Sequence, residues 1–315
     1  MKKYSVTALG EILIDFTYSG KNEDGISLFA QNAGGAPANV LAAVKKLGGE
    51  SAFIGKAGDD MHGHFLRDTL KNAGISCDGL ILDKNVFTTL AFVDIGKNGE
   101  RSFSFARKPG ADTCLTKEEV NCELIKNSKV LHVGSLSLTD NPARGATLFA
   151  IKCAKENGIT VSYDPNYRAP LWPDEKTACE GMRSILKYVD IIKISDEEMK
   201  LLTDETNEKK CADALFEKGI SCVIITKGAQ GAYVAVHGAD AKIPCCKVNA
   251  VDTTGAGDSF MGAFLYKMTS DDKKASELTK SDITSYGNFA AKVSAFCVSK
   301  KGAISAMPAL SDLDF

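Results

Sequence analysis

The chain has 315 residues, 44% hydrophobic and 25% charged, and its 38 basic and 40 acidic side chains leave a net charge of −2. These values exclude a disordered, collagen-like or coiled-coil protein, and a chain with no basic excess is a poor match to the phosphate backbone of nucleic acid. A chain of this length buries roughly three-quarters of its unfolded surface and needs no staples to be stable.

The first strand is read at 4–9, ending at Gly10. Its apolar run is broken by Glu11 and Asp15, too early for a secretory signal. Residues 12–29 alternate in polarity and carry aromatics, and a glycine turn follows at Gly34-Gly35. From 37 to 47, Val40, Leu41, Val44 and Leu47 recur at helical spacing, and Gly48-Gly49 stops the helix. The uncharged run 25–44 is long enough for a membrane span, yet Gln31, Asn32, Pro37 and Asn39 would leave polar groups unpaired in lipid. A strand at 51–54 and a helix at 64–72 come next. His62 and His64 form a lone HxH without a third ligand, the mark of a solvated loop more than of a metal site. Residues 87–95 and 101–106 read as a hairpin turning at 96–99, and its second arm alternates as a sheet with one wet face does.

Beyond 129 the pattern becomes βα units. Strands are predicted at 130–133, 159–163, 189–194 and 222–226, and helices at 142–156, 177–187, 196–202, 209–218, 256–268 and 281–298. Continuous apolar strands between amphipathic helices imply a mostly parallel sheet covered on both faces. The expected architecture is a single three-layer α/β/α domain over 1–315, with a small β-sheet lid built from about 11–30 and 87–107. Ten cysteines without a CxxC fit a reduced, cytoplasmic protein, with Cys153, Cys222 and Cys297 acting as small hydrophobes.

The strongest chemical signal is Asp252-Thr-Thr-Gly-Ala-Gly-Asp258-Ser-Phe, which runs directly into an apolar helix. Successive N–H groups at Gly255, Ala256 and Gly257 would open that helix as an anion cradle. Asp258, in the first turn, could act as a base toward a hydroxyl that attacks the anion. An ordinary strand-to-helix turn with an acidic first residue explains the same letters, and the segment alone does not choose. The Rossmann fingerprint fails, because Phe260 stands where its third glycine belongs, and no GxxxxGK[ST] occurs.

These residues carry a resemblance. Residues 252–265 resemble the C-terminal signature of the ribokinase-like (PfkB) carbohydrate kinases, and Gly34-Gly-Ala-Pro-Ala-Asn39, with Gly48 and Gly58, resembles the N-terminal one. GEILIDF at 10–16, GDD at 58–60, TKGAQG at 226–231 and KKGAISAMP at 300–308 follow the family's order across essentially the whole chain. Leu41 stands where a small residue is usual, Ser195 where the family's Asn-x-x-Glu motif has asparagine, and Ala291 where another asparagine is usual. Within the family, Phe105-Ala-Arg107-Lys-Pro-Gly-Ala-Asp112 and Asp164-Pro-Asn-Tyr-Arg168 are most similar to the fructokinases. The 2-keto-3-deoxygluconate kinases are the alternative, and a non-catalytic sugar-binding regulator is a third reading that the intact glycine cradle and Asp258 disfavour.

The resemblance implies an ATP-dependent sugar kinase with Asp258 as base and Gly255, Ala256 and Gly257 as anion hole. Asp15, Gly34, Gly35 and Asn39 would bind the sugar, Arg107 would close over it from the lid, and Arg168 would bind sugar or phosphate. Lys193, Ser195, Thr226, Gly228 and Gly231 would contact the nucleotide. Mg2+ would enter with ATP, with Glu198 ordering a metal-bound water, and K+ would sit near Asp252 and Thr254. A homodimer through the lid is implied as well. Without the family, Asp15 reads as a strand-end carboxylate, Asn39 as a helix cap and Arg107 as a hairpin charge. Trp172 reads as a packing anchor, His132 as a satisfied core residue, and Glu197-Glu198 as a solvated helix start.

Overall fold

The computed structural model describes residues 2–95 and 101–313. The expected turn at 96–99 lies outside them. β1 (Tyr4–Leu9) is followed by two strands that leave the main sheet, β2 (Leu13–Lys21) and β3 (Ser27–Gly34). The chain returns through α1 (Ala36–Lys46), β4 (Ser51–Gly58), α2 (Met61–Asn72) and β5 (Ser76–Asp83), then leaves again as β6 (Leu90–Ile95) and β7 (Arg101–Ala106). The βα series is α3 (Cys122–Lys126), β8 (Ser128–Gly134), α4 (Ala143–Glu156), β9 (Thr160–Asp164), α5 (Glu175–Arg183), β10 (Ile191–Ser195), α6 (Met199–Thr203), α7 (Glu208–Phe216) and β11 (Cys222–Thr226). The hairpin β12 (Ala232–Val236) and β13 (Ala239–Ile243) precedes α8 (Ala256–Ser270) and α9 (Lys280–Val298).

Among the described residues, nine strands form one sheet in the order β13-β12-β11-β10-β9-β8-β1-β4-β5, and four form a second in the order β3-β2-β6-β7. The large sheet is parallel from β11 to β5; among the described strands β12 alone runs against it, and β13, antiparallel to β12, points the same way as the rest. One core cluster joins α1, α8 and α9 to one face of the sheet, and a second joins α4, α5 and α7 to the other. This is the three-layer α/β/α arrangement expected. Chain order reverses between β1 and β8, and α/β proteins place ligands beyond the carboxyl ends of the strands at such a switch point. Both excursions into the second sheet leave from that end, after β1 and after β5.

Several boundaries differ from expectation. β5 and the β12–β13 hairpin were not foreseen. β5 is an edge strand whose Gly79 lies against Phe53 and Ile54 of β4, and the hairpin turns at Gly238, where φ is +79°. Gly34 belongs to β3, leaving Gly35 as the turn residue at φ +118°. His62 and His64 lie in the first turn of α2, whose cap is Asp60, and not in a loop. His64 Nε2 meets Asp59 at 3.0 Å, while His62 packs edge-on against Phe16. Leu41 is fully buried on α1, and burial of such a side chain contributes roughly 1.5–3 kcal/mol. Ala291 is also core, inside α9. Trp172 is buried with its ring against Gly181 of α5. No helix among the described residues is long and apolar enough to cross a membrane.

Candidate active site

Two helices begin at the same place. Pro37 sits in the first turn of α1 just past Gly35, and Gly255, at φ +77°, turns the chain into α8. The helices pack closely because Gly262 of α8 presents no side chain to Val40 and Ala43 of α1. Their first turns therefore share a cavity of about 540 Å³, walled by Glu11, Asp15, Gly35, Asn39, Arg168, Lys193 and the segment 251–258.

Asp258 lies buried in that wall, and Asn39 Nδ2 donates to its Oδ2 at 2.8 Å. Asn39 is thus not the cap of α1, which is Gly35. Its Oδ1 is buried without a hydrogen-bond partner among the described residues. Burial raises the Asp258 carboxyl to about 6, and Asp164 pushes it the same way; Lys193, the Asn39 bond and Arg168 pull it back. A carboxylate in this range is poised to gain and lose a proton near neutrality.

Lys193 rises from β10 beneath Gly257, where an added Cβ would crowd its Nζ. It is buried and pairs with Asp164 Oδ2 at 2.6 Å. Burial opposes its charge, but the Asp164, Glu198 and Asp258 carboxylates outweigh that and hold the ammonium above its usual value. Asp164 ends β9 and was not singled out from the sequence as a functional group. Its Oδ1 is buried without a partner among the described residues. The available signal was its place, an acid at the carboxyl end of a parallel strand. Glu198 is occupied, its two oxygens accepting the N–H groups of Tyr167 and Ser195, each at 2.7 Å.

On the side of the second sheet, Asp15 lies on β2 opposite Asn32 of β3. A side chain at Gly34 would overlap its Oδ2, so this carboxyl position requires glycine there. Burial raises Asp15 to about 6, and Arg168 draws it down. Glu11, also not foreseen as a site residue, is buried just past β1; its Oε1 accepts the Ala36 N–H at 3.0 Å, and burial raises it to about 7.

Arg107 differs from its expected position. It is not among the residues lining the cavity. It is buried beside Asp112, with Nε and Nη2 on Asp112 Oδ2 at 2.8 and 2.7 Å. A buried guanidinium takes the nearest buried carboxylate, and this one follows five residues later. Thr226, Gly228 and Gly231 also lie away from the cavity, at and beyond the end of β11, with Thr226 Oγ1 donating to Ile194 O at 3.3 Å. Asp252 Oδ1 accepts from Thr254 Oγ1 at 2.6 Å, and its Oδ2 accepts the Gly302 N–H at 3.0 Å, tying the glycine segment to the C-terminal region. His132 is half satisfied. Nδ1 pairs with Ser162 Oγ at 2.9 Å while the buried Nε2 has no partner among the described residues, and burial lowers the imidazole to about 4.

Residues 3–310 match the pfkB family of carbohydrate kinases. The chain is 43% identical to Fructokinase-2 of Oryza sativa subsp. japonica, over 97% of this chain and 91% of the relative. Its fold is similar to that of the ATP-bound fructokinase of Xylella fastidiosa, with a TM-score of 0.91, 33% identity, and 98% of this chain and 97% of that chain covered. The fructokinase of Vibrio cholerae O395 in its fructose-, ADP- and calcium-bound form gives a TM-score of 0.89 and 32% identity, covering 99% of this chain and 98% of that chain.

Proposed function

The chain belongs to the pfkB family of carbohydrate kinases, and from that premise we propose that it transfers the γ-phosphoryl group of ATP to D-fructose, giving fructose 6-phosphate and ADP. The observation that carries the mechanism is a buried carboxylate, Asp258, held by Asn39 at the point where two helix N-termini and Lys193 converge.

Asp258 takes the proton of the C6 hydroxyl as that oxygen bonds to the γ-phosphorus and the bond to the β–γ bridging oxygen breaks. The N–H groups of Gly255, Ala256 and Gly257, with Lys193 beneath them, face the oxygens on which charge accumulates. Asp15, Gly34, Gly35 and Asn39 receive the remaining sugar hydroxyls. Arg168 acts electrostatically on both Asp15 and Asp258, which assigns its charge to the seam between sugar and phosphoryl group. Thr226, Gly228 and Gly231 continue the surface toward the nucleoside, with Ser195 at the end of β10. Closure of the second sheet as a lid excludes water that would otherwise compete for the phosphoryl group.

Mg2+ neutralises phosphate charge and aligns the groups when bound. The residues present fit it. Asp164 has an unpartnered buried oxygen for a metal-bound water, and Glu198, whose oxygens each accept one N–H group, keeps further lone pairs for the same role. Asp252 and Thr254 are the residues for K+. Ten free cysteines support a reducing, cytoplasmic setting.

An ADP-release assay with MgATP tests the reading. Turnover on D-fructose is expected. Turnover confined to 2-keto-3-deoxygluconate would overturn the sugar and leave Asp258 in place. The second sheet carries Leu28, Phe29 and Phe92 exposed, with Ile26 exposed in the turn before β3, which supports a homodimer through that sheet. Sedimentation is expected to show a dimer, and a purely monomeric species would refute it.

A further inference from the structure

We propose that Asp112 pins a buried polar relay that sets the second sheet over the sugar end of the cavity, which makes Asp112, Thr89 and Arg107 positioning residues for the acceptor sugar. The inference rests on the reading of the cavity as a sugar kinase site.

The second sheet is joined to the large one by four chain crossings, and each is tied by a named contact. After β1, the Ile14 N–H donates to Thr89 O at 3.1 Å. Between β3 and α1, Glu11 Oε1 holds the Ala36 N–H. Before β6, Asp60 accepts the Thr88 N–H at 2.9 Å and its hydroxyl at 2.8 Å. After β7, the Ala111 N–H donates to Phe87 O at 2.9 Å.

Asp112 lies where the crossings before β6 and after β7 meet. It is buried, its Oδ1 accepts the Thr89 hydroxyl, and its Oδ2 accepts two N–H groups of Arg107. Gly110 makes the approach possible, since a Cβ there would overlap Thr89 Oγ1. The other donors of Arg107 reach the large-sheet side, Nη1 to Thr139 Oγ1 at 3.1 Å and Nη2 to Leu136 O at 2.9 Å. Leu136 lines the cavity. The relay thus runs from Ile14, the neighbour of Asp15, through Thr89, Asp112 and Arg107 to Leu136. Buried polar networks of this kind hold one geometry because every alternative leaves a charge or donor unpaired. A tilt of the second sheet moves Asp15 relative to Asn39 and Asp258, whereas the glycine cradle and Lys193 belong to the large-sheet side and stay.

The test compares Thr89→Val, Thr89→Ser and Asp112→Asn with the unchanged protein. Thr89→Val removes one hydroxyl and leaves the Arg107–Asp112 pair, so it folds even if Asp112→Asn does not. Displacing a bound group by about 1 Å can cost up to ~100-fold in rate, so the expected rise in fructose KM for Thr89→Val is about tenfold, with ATP KM within about twofold. Thr89→Ser is expected to restore the KM. Hydrogen exchange of the unliganded protein is expected to rise across 13–34 in Thr89→Val and to stay unchanged in β8 to β11. A lowered melting temperature with fructose KM and second-sheet exchange unchanged overturns the proposal, and so does an equal rise in both KM values. If the unchanged protein ignores fructose, the fructose assignment fails on that control, and the exchange comparison still decides the relay.

Discussion

Asp258→Ala is expected to lower kcat on fructose by roughly 10³-fold, within the range that a positioned general base contributes. ATP affinity is expected to hold or tighten, because the substitution removes a negative charge from beside the phosphates. Two opposing effects on stability accompany it. An acid in the first turn of a helix contributes about 0.3–1 kcal/mol through the dipole, but this acid is buried and faces the Asp164 carboxylate, so burial and repulsion penalise its charge. The melting temperature should therefore change little, and Asp258→Asn serves as the variant that keeps the shape and the partner for Asn39. The pH dependence follows from the same group. A base works only when deprotonated, so activity is present above its pKa of about 6 and lost as pH falls through that value. The acid limb of kcat/KM for fructose is expected there in the unchanged protein, steepened by Asp15, which also lies at about 6. Turnover by Asp258→Ala at the unchanged rate would remove this residue as the base.

The parts of the site that could be read from the sequence are those whose physics is local. Gly255-Ala-Gly257 followed by an acid and an apolar helix marks the glycine turn into α8, though the segment alone left an anion cradle and an ordinary turn equally open. The alternation at 101–106 describes the strand found there as β7. What could not be read depends on partners far along the chain. Asn39 and Asp258 are 219 residues apart, and nothing in the segment around Asn39 distinguishes a helix cap from an arm holding a carboxylate. Arg107 was legible as a charge at the end of a hairpin arm, but its direction depends on a turn at 111–114 that brings Asp112 beneath it. The β12–β13 hairpin and β5 went unforeseen because they are edge elements, stabilised mainly by what they pair with. Lys193 was legible as a residue at a strand end, yet its pairing with Asp164 arises only when β9 and β10 lie side by side in the sheet.

That pairing gives Lys193→Met an effect second only to loss of the base. Methionine keeps most of the volume and removes the charge, so the packing beneath Gly257 survives while the electrostatics invert. Two losses follow, and they differ in pH dependence. The ammonium no longer faces the phosphoryl oxygens as charge develops on them, a deficit of roughly 10²–10³-fold in kcat that is the same at every pH. Asp164 loses its counterion as well, and of the two cations that pull Asp258 down, Lys193 and Arg168, the stronger is gone. Lys193 lowers the Asp258 pKa, so its removal must raise it above about 6. At neutral pH a smaller fraction of Asp258 is then the free base, and the acid limb of the rate profile shifts to higher pH. Raising the pH should recover part of the lost activity, the part due to Asp258, and leave the rest. A profile lowered uniformly with its limb still near 6 would show that Lys193 serves the phosphoryl group alone. Full activity in Lys193→Met would place the phosphates elsewhere in the cavity and take the glycine cradle with them.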